Sequence, residues 1–84
     1  MIKKYIVFGY NFKNDECTVF SFNLTEDESK DVHSRLVADK IPAFRKEQPE
    51  GRDMTVNQAI NHISNYITKL KGDYAKRNNL KTQL

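Results

Sequence analysis

The chain has 84 residues, 14 Lys and Arg against 11 Asp and Glu, a formal charge of +3 and 38% hydrophobic residues. That length implies one domain, 1–84, with a small core, because a chain of this size buries only about 60–65% of the surface that its unfolded form exposes. No apolar run approaches the ~20 residues of a membrane span; the single cysteine, Cys17, excludes an internal disulfide and suits a reducing compartment, so a cytoplasmic protein without membrane contact is expected.

The opening "MIKKYIVFGY" starts basic, then alternates, and has no small-residue cleavage site, so it reads as a strand and not as a signal peptide. "KKYIVFGYNF" and "CTVFSFNL" are rich in aromatic and β-branched residues at period two, which predicts an antiparallel hairpin over 2–24. Ile6, Phe8, Tyr10 and Phe12 share one face, and Thr18, Phe20, Phe22 and Leu24 share another. Keeping the aromatics together requires Phe12 opposite Thr18, Tyr10 opposite Phe20 and Phe8 opposite Phe22. A two-residue turn at Asn14-Asp15 would mix the faces, so an odd loop or a bulge is expected. The reverse face, with Tyr5, Val7, Gly9, Asn11, Cys17, Val19, Ser21 and Asn23, is small and polar and is expected to be solvated or used for contact.

A first helix is predicted over 26–40. Thr25 with Glu28 forms a capping box, and Glu26, Asp27 and Glu28 complement the helix dipole. Val32, Leu36, Val37 and Ile41 make a narrow apolar stripe, and Pro42 ends the helix. A second helix is predicted over 55–77, capped by Thr55 with Gln58 and carrying a seam of Val56, Ile60, Ile63, Ile67, Leu70 and Tyr74. The expected fold is therefore α+β, a two-stranded antiparallel hairpin followed by two helices (ββαα), with the aromatic hairpin face against both helices. A hairpin leaves open edges, and a homodimer through one of them is a further possibility.

Between the helices, 41–54 shows neither helical nor strand period. Connections longer than about 12 residues are mostly functional or disordered. Ile41, Ala43, Phe44 and Met54 could anchor this segment and present Arg45, Lys46 and Arg52, whose cations suit phosphate or carboxylate. Glu47, Glu50 and Asp53 could equally neutralise them and leave a solvated connector. The second cluster of cations is C-terminal: residues 55–84 carry Lys69, Lys71, Lys76, Arg77 and Lys81 against Asp73 alone. Such an asymmetry suggests a polyanion or an acidic partner, although cations near a helix C-terminus are favoured by its dipole in any case.

Nothing in the sequence points to catalysis. Cys17, His33 and His62 are scattered, and no nucleophile has a base at a telling spacing. One Cys and two His cannot complete a zinc site, Gly9, Gly51 and Gly72 are isolated, and both histidines read as surface residues. No metal, no cofactor and no enzymatic activity are expected. The favoured ligand is RNA, held at its phosphates by Arg45, Lys46, Arg52, Lys69, Lys71, Lys76 and Arg77, with Tyr10 or Tyr66 able to stack a base; no sequence-reading motif is present. The alternative is a protein-only inhibitor that docks through the sheet edge and the long loop, with Phe44 and Tyr5 in the contact and Glu26, Asp27, Glu28 and Asp31 imitating phosphates. A purely structural homodimer is the third.

A compact chain that opens "MIKKYIVFGY", rich in Lys and Asn and without a catalytic motif, resembles the small accessory and anti-defence proteins of T-even-type phages. That resemblance implies an inhibitor or antitoxin acting in the host cytoplasm on a host enzyme or ribonucleoprotein, such as a ribonuclease toxin, with RNA as a possible participant.

Overall fold

The structure, a computed structural model, describes the backbone of residues 3–11 and 13–82, and the side chains of these as far as residue 72. The elements run β1 (Tyr5–Asn11), β2 (Glu16–Leu24), α1 (Glu26–Ala38), β3 (Phe44–Glu47), a 3-10 turn (Pro49–Gly51) and α2 (Val56–Thr82). The class is α+β, but the sheet has three antiparallel strands in the order β2-β1-β3. The expected two-stranded hairpin is thus incomplete: the segment read as a loop supplies β3. Four residues are too few for an alternation to show in the sequence, and "FRKE" has little strand character. Tertiary context makes the strand, because β1 is buried and needs a partner on each side.

The hairpin register also differs from the expected one. Near the turn, Asn11 pairs with Glu16, Tyr10 with Cys17, Gly9 with Thr18 and Phe8 with Val19; further along, Val7 pairs with Ser21 and Tyr5 with Leu24. Tyr10 therefore faces Cys17, not Phe20, and Phe8 faces Val19, not Phe22; the pairing expected of Phe12 lies outside the described residues. Two bulges on β2 correct the phase. The first extra residue is Phe20, which falls on the reverse face, so that Phe22 returns to the core side. The second lies between Ser21 and Leu24, where Asn23 has φ 59°. Asparagine tolerates this left-handed conformation better than most residues.

One sheet face is covered by α2. Ile6 and Phe8 pack with Ala59, Ile63 and Ile67, and Tyr10, Val19, Phe22, Met54 and Tyr66 pack around them. Each such aliphatic or aromatic side chain contributes roughly 1.5–3 kcal/mol when fully buried. The seam on α2 is only partly used: Val56, Ile60 and Leu70 remain 59%, 46% and 46% exposed.

The opposite face is covered by α1, not by solvent. Val7 is fully buried there, Arg45 reaches Ser29 on α1 (Nη1 to Oγ, 2.9 Å), and the His33 ring bonds the Ala43 carbonyl at 3.0 Å. Strand alternation explains the arrangement, since neighbours on β1 must point to opposite sides and both sides carry apolar residues. The helices therefore sandwich the sheet and do not share its aromatic face.

Local sequence explains where α1 starts and stops. Glu28 N–H donates to Thr25 Oγ1 at 3.2 Å and Thr25 N–H donates to Glu28 Oε1 at 3.0 Å, which holds the Glu28 carboxyl below its usual pKa. At the other end, Ile41 N–H reaches the Leu36 carbonyl and Lys40 N–H reaches that of Val37, with Lys40 at φ 61°. This is a Schellman stop with lysine where glycine is usual. α2 begins with the same device, as Thr55 and Gln58 exchange side chain–backbone bonds of 3.0 and 3.2 Å.

Candidate nucleic-acid interface

β3 is an edge strand, and its alternation splits the cations that the sequence placed together. Arg45, opposite Val7, lies on the α1 side; its guanidinium sits 5.5 Å from the centroid of the half-buried Tyr5 ring and donates to Ser29. Lys46, opposite Ile6, lies on the α2 side with its Nζ 5.0 Å from the Tyr66 centroid. Arg52 stands beyond the 3-10 turn and pairs with Glu50 (3.0 Å). Lys71 occupies the other flank of α2, where it bonds Asp15 and stands 5.2 Å from the Tyr10 ring centre. The Lys71 ammonium and the Tyr10 hydroxyl both donate to Asp15, and these bonds lower the pKa of its carboxyl. Lys76 and Arg77 belong to the helical backbone of α2, and their side chains are outside the described residues.

Two of the expected residues, Phe44 and Lys46, stand on one face of β3, and helical spacing directs a third, Lys69, to the same flank. Lys69 lies three positions after Tyr66, hence on the same flank of α2 as the ring over which Lys46 sits. Phe44 opens β3 and is 48% exposed, with its ring 5.7 Å from that of Phe8. Phe8 in turn meets Tyr66 edge-on at 6.0 Å. The result is a seam along the junction of β3 and α2: an exposed aromatic ring, Phe44, beside Lys46 and Lys69. Among the described residues, neither lysine has a carboxylate partner, whereas Lys4, Lys30, Arg35, Arg52 and Lys71 are each paired with one. Tyr66 is half-buried between Phe8 and Lys46, whereas Phe44, although it also touches Phe8, is exposed enough to present a ring for stacking.

His62, expected at the surface, belongs to this seam as well. It is half-buried, one helical turn before Tyr66, and its Nε2 is buried without a hydrogen-bond partner. Burial first, and then the nearby Lys46 ammonium, lower its pKa from the ordinary histidine value. The only sequence signal for its place is the helical spacing to Tyr66.

The acidic turn of α1 is occupied by its own structure. Glu28 closes the capping box, Glu26 pairs with Lys30 at 3.4 Å and Asp31 with Arg35 at 3.0 Å. Among the described residues no cluster of three or more metal-ligating side chains occurs, and no helix is long and apolar enough to cross a membrane.

Sequence reasoning missed a second feature, at the hairpin end of the sheet, where Tyr10 and Phe44 from one face and Gly9 from the other line it. There a groove of about 730 Å³ opens above Gly9, bounded by Phe20, Thr18, Glu16 and Asn11 from the sheet and by Pro42 and Phe44 from the returning chain. Gly9 lets the Phe20 ring and the chain at Pro42 close over the strand: a Cβ on it would stand 2.9 Å from the Phe20 ring and 3.1 Å from the Pro42 carbonyl oxygen. The glycine within an alternating strand was the available signal. Comparison of the chain with family models, curated proteins and solved structures found no match in any of the three.

Proposed function

We propose that this is a non-enzymatic binding protein whose ligand is single-stranded nucleic acid, RNA in the first place, gripped along the seam between β3 and α2. The observation that carries this reading is the pair of cations without carboxylate partners, Lys46 and Lys69, beside the exposed ring of Phe44. Such a seam supplies the two elements of sequence-tolerant single-strand binding: cations that follow the phosphates and an aromatic ring on which a base stacks. Lys76 and Arg77, further along the backbone of α2, are additional candidates for phosphate contact. Arg45, Arg52 and Lys71 are assigned no part in it, because each is engaged within the fold. In the phage setting suggested by its sequence, the protein would act on an RNA-bearing target in the host cytoplasm.

The test is fluorescence anisotropy of a labelled twelve-uridine RNA at low and moderate salt. Lys46 and Lys69 together contribute about −1.4 to the log–log salt slope on a single strand, and each further phosphate contact adds about −0.7. Lys46→Glu and Lys69→Glu should each weaken binding and flatten that slope by about 0.7. Lys30→Glu, on the opposite side of the sheet, should leave both unchanged. Absence of binding even at low salt would sink the reading.

One observation favours a protein-only docking role as the second reading: Val37, Ile41 and Phe44 are 53%, 39% and 48% exposed near the start of β3. An inhibitor using them would hold its target with little salt dependence and lose it on Phe44→Ser, with Lys46→Glu nearly silent.

A further inference from the structure

The groove above Gly9 is built differently from the seam, and its polar groups are sorted. Asn11 and Glu16 are direct cross-strand partners, so their side chains stand side by side at one end of it. The Asn11 carbonyl oxygen already accepts from the Lys13 backbone N–H at 3.0 Å, which turns the amide NH2 outward as a donor. Glu16 is exposed, has no cation partner among the described residues, and as a carboxylate can only accept. The groove thus offers one donor next to a two-oxygen acceptor. Its wall is the 37% exposed ring of Phe20, whose edge lies over Gly9, and its far lip is Pro42. Lys13, also without a carboxylate partner among the described residues, stands on the rim. Phe44 lines the groove and also flanks Lys46, so one strand could reach both places.

We propose that this groove is a base pocket that selects guanine from the single strand held on the neighbouring seam. The assignment rests on the nucleic-acid reading above and adds the base that is read. Guanine is the base whose pairing edge carries an acceptor, O6, followed by two adjacent donors, N1–H and the 2-amino group. Asn11 Nδ2 donates to O6, the Glu16 carboxylate accepts from N1–H and the 2-amino group, and the ring stacks on Phe20 with Lys13 at the adjoining phosphate. Adenine offers one donor on that edge, cytosine presents its donor beside an acceptor, and uracil places a lone N–H between two acceptors. None of these gives one carboxylate two neighbouring N–H groups. Gly9 is required because a Cβ there would stand 2.9 Å from the edge of the Phe20 ring and displace the face on which the base stacks.

The experiment compares three labelled twelve-nucleotide RNAs at one salt concentration: all uridine, uridine with one central guanosine, and uridine with one central adenosine. The guanosine strand should bind on the order of tenfold more tightly than the other two, within the range expected of a two-bond base contact. Glu16→Gln replaces an acceptor with a donor and should abolish that preference without altering affinity for the uridine strand. Glu16 is exposed at the hairpin end, so the variant folds, and the unchanged uridine affinity verifies that it does. Equal, salt-sensitive binding of all three strands overturns the guanine assignment and leaves the seam standing. So does an adenosine strand as tight as the guanosine one, or a preference that survives Glu16→Gln. Failure of every strand to bind overturns both readings together.

Discussion

Where Tyr5 pairs with Leu24 and Glu47, the sheet is closed by polar groups that satisfy one another; where Asn11 pairs with Glu16, it is open. At the closed end, Gln48 is 2% exposed. Its Oε1 accepts from Asn23 N–H at 2.6 Å, and its Nε2 donates to Asn23 Oδ1 at 3.0 Å and to the Arg52 carbonyl at 2.8 Å. Asn23 completes the clamp by accepting from Met54 N–H at 2.8 Å and donating to the Met54 carbonyl at 3.0 Å. Five bonds tie β2, the 3-10 turn and the entry to α2 together, and Gln48 N–H adds a backbone bond to Lys4. At the hairpin end, Asn11, Glu16 and Thr18 stand in solvent around the groove. The difference separates two uses of polar residues. Buried and mutually bonded, they fix one arrangement of the chain; exposed around a hollow, they are left for a partner.

The sharpest way to break that contrast is Gln48→Leu. The shape is roughly kept, but Asn23 N–H and the Arg52 carbonyl lose their partners in a part-buried setting, and Asn23 Oδ1 loses one of its two. Each orphaned group costs about 1–3 kcal/mol, less what water recovers, so a loss of about 3 kcal/mol is expected in urea unfolding. Glu16→Gln at the open end should fall within about 0.5 kcal/mol of the parent, as surface changes usually do. A similar effect from both substitutions would show that the two ends are not built as described.

Gly9→Ala comes next, because it tests the boundary between the ends. The new methyl meets the tip of the Phe20 ring and the backbone carbonyl of Pro42. The ring can swing away; the carbonyl belongs to the chain entering β3 and yields less. Overpacking of this kind costs about 1–3 kcal/mol. The same variant should bind the guanosine RNA no better than the uridine strand, whereas its grip on uridine stays intact.

Much of this contrast was hidden in the sequence. The strands β1 and β2, the two helix starts and the buried Ile63 and Ile67 were legible from alternation, from Thr25–Glu28 and Thr55–Gln58, and from helical spacing. β3 was not, because "FRKE" becomes a strand only when β1 offers it an edge. The register was not, because two bulges on β2 undo simple alternation and move Phe20 off the core face. Gln48 reads as one more polar loop residue, and its burial follows from the turn at Asn23, which no local pattern announces. The site was half legible: Phe44, Lys46 and Lys69 were candidates, but alternation along β3 separates Arg45 from Lys46, and local acids absorb Arg52 and Lys71.

A smaller effect concerns the stop of α1, which ends at Ala38 because the chain turns left-handed at Lys40 and Pro42 follows. A lysine in this conformation is strained relative to glycine, which is the usual residue at such a stop. Lys40→Gly should therefore stabilise the fold by about 0.5–1 kcal/mol, read as a higher urea midpoint, with RNA affinity unchanged. Destabilisation would mean that the lysine side chain has a role outside the helix stop.

The smallest effect lies in the seam and depends on pH. His62 is held neutral by burial and then by Lys46, so its folded pKa lies below the ordinary value of about 6.5 that it recovers when unfolded. Below that value the unfolded chain takes up a proton that the folded chain resists, and the equilibrium shifts toward unfolding. Stability is thus full above about pH 6.5, declines as the pH falls through that value, and stops declining once the pH passes below the folded pKa. Carboxylates contribute their own losses in acid, so the measurement is a difference: urea midpoints of the parent and of His62→Gln between pH 7.5 and pH 5. The two curves should diverge, with the parent falling more steeply. Bound RNA should narrow the gap, since phosphates beside Lys46 offset the charge that keeps His62 neutral. A gap unaltered by RNA, at concentrations where RNA is bound, would place the phosphates away from Lys46 and with it the strand away from the seam.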